Sequence, residues 1–132
     1  MNFIFSFIIT LIIFAILDVS WITFNYNYYM TLCKRIQKEP FIPKIPAALI
    51  AYIILGLGLF LYVKFILHET KKRNYLLTIL YGFLFGLVIY GTYSFTSCTY
   101  YKNYSYYDAF IDTLWGIILF IISGVIFISI YK

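Results

Sequence analysis

Asp18 and Asp112 are the residues on which any chemistry in this chain would turn. Each lies within a long apolar run, and each is followed three positions later by a tryptophan, Trp21 in LDVSW and Trp115 in DTLWG. The stretch YGTYSFTS at 90–97 adds hydroxyls at Tyr93, Ser94, Thr96 and Ser97. A carboxylate set in hydrocarbon can hold a proton, balance a cation, or accept hydrogen bonds from phenols, indoles and alcohols. Facing lipid it costs a few kcal/mol, so both aspartates are expected to point inward, where an ionisable group is a functional hypothesis by default. The same groups could instead lock helices together by hydrogen bonding. The sequence leaves both roles open.

The elements that must position these groups are apolar. Of the 132 residues, 64% are hydrophobic, 23% aromatic and only 11% charged, and the mean hydropathy is +0.91. A soluble domain carries about a quarter charged residues, so most of this surface must face lipid. Four runs are long enough to cross a bilayer, and the expected spans are 3–29, 46–66, 75–97 and 107–131. No Lys or Arg precedes the first run and no small-residue cleavage site precedes Asp18, so it is expected to be a retained span rather than a signal peptide. Trp21, Tyr26, Tyr28 and Tyr29 read as an interfacial belt at its end. Cys33, Lys34, Arg35, Lys38 and Glu39 then form a polar loop, and Pro46 suits the first turn of the next helix. The expected fold is all-α, an integral membrane four-helix bundle forming one domain over residues 1–132.

Short connections make successive spans antiparallel, so the end of span one, the end of span three and the start of span four emerge on one side. Asp18, Asp112 and the Thr92–Ser97 segment should therefore converge at one depth in one leaflet. Within span three, Gly82, Gly86, Tyr90, Tyr93 and Ser97 share a helix face. Gly82 and Gly86 form a small-xxx-small pair that lets another helix approach, with Gly116 as a further close-packing position on span four. Packing within the bundle is favoured over a dimer motif.

Other chemistries find less support. The one histidine, His68, lies at the opposite side, and two carboxylates alone make a poor transition-metal site, so no metal and no cofactor is expected. Mg²⁺ or Ca²⁺ held with phosphate oxygens is a weaker option. Cys33 and Cys98 lack a histidine on their side to activate them as nucleophiles. They share one face, where they either pair or stay as thiols. Net charge +5 arises from lysines and arginines between the apolar runs, the distribution found at lipid headgroups rather than in a nucleic-acid groove. Membrane lipids are the expected partners, with other membrane proteins or a second copy as further candidates and no nucleic acid. Orientation stays open: Lys64, Lys71, Lys72, Arg73 and Lys132 on one side match Lys34, Arg35, Lys38, Lys44 and Lys102 on the other.

LDVSW at 17–21, YGTYSFTS at 90–97 and DTLWG at 112–116 together resemble the signature of the DUF2177 family of predicted membrane proteins. That resemblance covers nearly the whole chain and implies four spans. It also implies an Asp-x-x-Trp in the first span, a Tyr-x-Thr-Tyr-Asp-Leu-Thr-Asn segment ending the third, and an Asp-x-x-Trp-Gly in the fourth. It assigns no activity. Members occur in bacteria and large DNA viruses, and the wealth of Ile, Phe, Tyr, Asn and Lys here is what an A/T-rich genome encodes, so a host-derived or virion membrane is compatible with it. Ser94 stands where the family pattern has Asp and Ser97 where it has Asn, so one of three acids is missing. Two roles follow: a structural or membrane-organising protein, or one that binds an amphiphile or couples to protons at Asp18 and Asp112.

Overall fold

The computed structural model describes residues 2–69 and 73–131. Every regular element among them is helical: α1 (Phe3–Phe24), α2 (Tyr26–Gln37), α3 (Ile45–Glu69), α4 (Tyr75–Gly86), a π-helical turn (Leu87–Gly91), α5 (Thr92–Tyr100) and α6 (Tyr106–Ile130). Four stretches are long and apolar enough to cross a membrane: α1, α3, the continuous helix Tyr75–Tyr100, and α6.

Polar residues start these helices. Asn2 accepts from the Phe5 N–H and Asn74 from the Leu77 N–H, at 2.9 and 3.0 Å. Ser105 and Asp108 form a reciprocal capping box on α6. Each device satisfies amide groups that a helix start leaves without partners, which hydrocarbon would penalise.

The first crossing is shorter than the expected 3–29. It ends at Phe24, because the Asn25 backbone and side-chain amides both return to the Trp21 carbonyl. The chain then turns into α2, so the expected polar loop at Cys33–Glu39 is mostly helix. Lys38 closes it in the left-handed region at φ 61°. The third span also departs from one regular helix, since its π-helical turn inserts one extra residue. Buried positions run Thr78, Gly82, Gly86, then Gly91, Ser94 and Ser97, and the five-residue step falls at that turn. The connection expected at 68–73 lies partly outside the described residues, as do Lys71, Lys72 and Lys132.

Helix α6 is the hub. Of its most apolar window 44% is buried, against 22% in each other span, so the other spans pack around it. Hydrocarbon provides no hydrophobic drive between helices, and close backbone approach takes its place. A Cβ on Gly86 would sit 2.5 Å from Ile117 Cα, and one on Gly82 would sit 2.9 Å from Ile121 Cα. Gly116 leaves room for the Tyr90 ring and Gly124 for that of Tyr62. Tyr62 donates to the Thr78 carbonyl at 2.6 Å, and Phe65 meets Tyr81 edge-on at 4.7 Å, which ties α3 to α4 at the end away from the aspartates. Lys64 places its Nζ 4.2 Å from the Phe3 ring, keeping its stem in hydrocarbon.

Candidate functional site

Asp18 lies six residues before the end of α1 and Asp112 six after the start of α6. At 1.5 Å per residue each is about 9 Å inside its helix end. Asp18 takes its hydrogen bonds from other spans, and Asp112 takes its own from α2 and the 101–105 connection. The Trp115 indole of α6 donates to Asp18 at 2.9 Å, and Tyr52 of α3 donates to its other oxygen at 2.7 Å. The Trp21 indole of α1 donates to the Tyr29 hydroxyl at 2.8 Å, and Tyr29 donates in turn to Asp112 at 2.8 Å. Tyr104 donates to the second Asp112 oxygen at 3.3 Å. The two indoles stack at 4.6 Å with planes 5° apart, so one aromatic sandwich joins the two acids.

A second polar tier lies nearer the surface. Asp108 is buried and accepts from Tyr28 at 2.5 Å, from the Ser105 hydroxyl at 2.7 Å and from the Ser105 N–H at 2.9 Å. Arg35 pairs with it at 3.2 Å. Tyr28 and Arg35 are seven residues apart on α2, with the buried Leu32 between them on the same face. That face fastens α2 across the mouth of the spans. Burial, reinforced by neighbouring carboxylates, holds the Tyr28, Tyr29 and Tyr104 phenols above the ordinary tyrosine range. Burial also pushes the Cys33 thiol up. Both cysteines are free.

Of the residues expected to converge, Asp18, Trp115 and Trp21 are joined by direct contacts, and Asp112 is linked to Trp21 through Tyr29. Ser97 is turned inward but donates to the Tyr93 carbonyl at 2.9 Å rather than to an acid. Ser94 is fully buried beside Tyr104, and its hydroxyl makes no hydrogen bond of ordinary geometry. Thr96 must be removed from the cluster. It is exposed, because two residues from Ser94 turns a helical side chain by about 200°. Tyr93 lines the cavity described below while remaining 65% exposed. Trp115 apart, the direct partners of the acids are residues outside the sequence candidates for the cluster: Tyr28, Tyr29, Arg35, Tyr52, Tyr104 and Ser105, with Asp108 as a third acid. Ser105-x-x-Asp108 ahead of an apolar run is a legible capping signal. Tyr52 carried none beyond being a phenol in an apolar run.

Beside this network is a cavity of about 440 Å³ that reaches both aspartates. Trp21, Trp115 and Tyr29 line it, Cys33 and Ile36 of α2 and Phe41 close it toward the surface, and Ala51, Leu55, Tyr90 and Tyr93 form its side. Those last four also line an apolar pocket of about 380 Å³ between α3 and the third span. That pocket shares Ile54 and Ile89 with a further one of about 450 Å³ running to Leu61 and Leu84. Among the described residues no three His, Cys, Asp or Glu side chains gather to hold a metal. The arrangement can accept hydrogen bonds, balance positive charge and surround an apolar body.

A model of the family described as "Predicted membrane protein (DUF2177)" matches residues 3–128. The chain belongs to the DUF2177 family. No curated protein and no solved structure matches it. This DUF2177 protein is an integral, multi-pass membrane protein with four apolar spans, and the paired Asp-x-x-Trp motifs are the segments that interlock in it.

Proposed function

We propose that this DUF2177 protein holds an amphiphile drawn laterally from the bilayer, its head beside Asp18 and Asp112 and its tail between α3 and the third span. One observation carries the reading: the cavity that reaches both aspartates shares walls with an apolar groove that extends to Leu61. From Ala51 to Leu61 along α3 is about 15 Å, half of a ~30 Å hydrocarbon core. That length suits one acyl chain in one leaflet. Ligand sites are concave and mostly apolar, with a few convergent polar groups, and this cavity fits that description.

The test is lipid retention measured by native mass spectrometry after extraction in a neutral detergent. Wild type is expected to carry one amphiphile per chain. Ala51→Phe, which fills the join between head cavity and groove from an exposed position on α3, is expected to lose it at unchanged melting temperature. Wild type without stoichiometric amphiphile would remove the proposal. The alternative, a purely structural lock, is favoured by the two hydrogen bonds that each carboxylate already accepts. It requires Ala51→Phe to change nothing.

A further inference from the structure

The geometry points to the head of that amphiphile: a cationic ammonium group, seated between the carboxylates of Asp18 and Asp112. The inference rests on the amphiphile reading and adds the head chemistry to it. Every hydrogen bond those carboxylates receive comes from a neutral donor, two phenols for Asp112 and a phenol and an indole for Asp18. Among the described residues neither is in an ion pair. Arg35, the cation fastened at this end, is taken by Asp108. Among the described residues, none that lines the cavity is Lys, Arg or His.

Two acids therefore face one partly enclosed space with no positive partner, although buried charges are normally paired. Each carboxylate offers about four lone-pair positions and uses two. The spare capacity suits N–H donors or close contact with an alkylated ammonium. The rest of the wall mixes aliphatic and aromatic side chains, with Trp21, Tyr90 and Tyr93 among the latter, and aromatic faces attract a desolvated ammonium. A sulfate or phosphate head alone would meet repulsion from both acids, and an alcohol would leave the charge unbalanced.

The chain's two tryptophans both line this cavity, so intrinsic fluorescence reports on it directly. Protein in dodecyl maltoside, whose head is uncharged, would be titrated with dodecylammonium, dodecyltrimethylammonium, dodecanol and dodecyl sulfate. The two ammonium probes should quench saturably, at mole fractions at least tenfold lower than dodecanol, with dodecyl sulfate weakest. Asp18→Asn and Asp112→Asn should each erase most of that tenfold preference while the dodecanol response survives. Equal response to dodecanol and the ammonium probes would overturn the head assignment and leave the amphiphile reading standing. Full ammonium preference in both Asn variants would do the same. Saturable quenching by none of the four would remove both. The wild-type series alone decides if an Asn variant fails to fold.

Discussion

At the scale of single residues, Asp108 and Asp112 differ in what holds them. Asp108 closes a capping box and pairs with Arg35, so its loss leaves Tyr28, Arg35 and the Ser105 N–H without that acceptor. Asp108→Ala is expected to cost about 2–3 kcal/mol, the sum of half a capping box and an unpaired buried group. Thermal unfolding in detergent would read this, with Tyr28→Phe costing less because it removes one bond of several. Asp18→Leu should destabilise by about 1–3 kcal/mol, leaving the Tyr52 hydroxyl and Trp115 indole unpaired, whereas Asp18→Asn, which keeps an acceptor, should melt close to wild type. Equal melting of the two variants would show that these bonds carry no net stability. Alkaline pH supplies a further check. Tyr28, Tyr29 and Tyr104 ionise in the folded state only above the usual tyrosine range. Their contribution is therefore complete below about pH 10, where unfolded phenols begin to ionise, and is lost as pH rises further. Melting temperature should hold to about pH 10 and fall beyond it, with phenolate absorbance from these three appearing together with unfolding.

At the scale of elements, the glycines separate contacts that bear on folding from those that do not. A Cβ on Gly86 runs into the α6 backbone at Ile117, while one on Gly56 finds only the flexible tip of Leu11 at 3.4 Å. Gly86→Ala should therefore destabilise by about 1–3 kcal/mol through overpacking, and Gly56→Ala should be neutral, both measured by thermal melting. The π-helical turn follows from the same constraint. Gly86 and Gly91 both face α6, with Gly91 against Thr113, and the extra residue between them brings the Tyr90 ring over Gly116. Turns of this kind often occur at functional sites, and this one carries part of the cavity wall. Helix α2 is the other element with a double role: its Leu32 packs into a small core with Tyr104 and Ala109 while its Arg35 ties down Asp108.

At the scale of the whole molecule, four crossings place α2 and the 101–105 connection on one side and His68 on the other. In a variant with Cys33→Ala and Cys98→Ala, single cysteines at the exposed positions Lys38, Lys102 and His68 test this. A membrane-impermeant maleimide applied to sealed vesicles should label Lys38→Cys and Lys102→Cys from the same side and His68→Cys from the opposite one. Labelling of all three from one side would contradict four crossings. The result would also supply the orientation that the even distribution of lysine and arginine withholds.

What the sequence determined by itself follows from solvent. Long uncharged runs, halved charge and aromatic-rich ends dictate helices in lipid, because only a helix satisfies its own backbone there. The family and the presence of acids inside two of the runs were legible for the same reason. The partners of those acids belonged to the tertiary structure. Tyr28 and Tyr29 have the composition of an interfacial belt, and only the break at Asn25 folds them back onto Asp108 and Asp112. Thr96 and Ser94 look alike in sequence, and the phase of the third helix, shifted by one extra residue at 87–91, decides which of them turns inward. The bond from the Trp115 indole of α6 to Asp18 of α1 joins residues 97 positions apart. Local spacing places side chains on a face, but which face meets which is decided where the backbones come closest, at Gly82, Gly86 and Gly116.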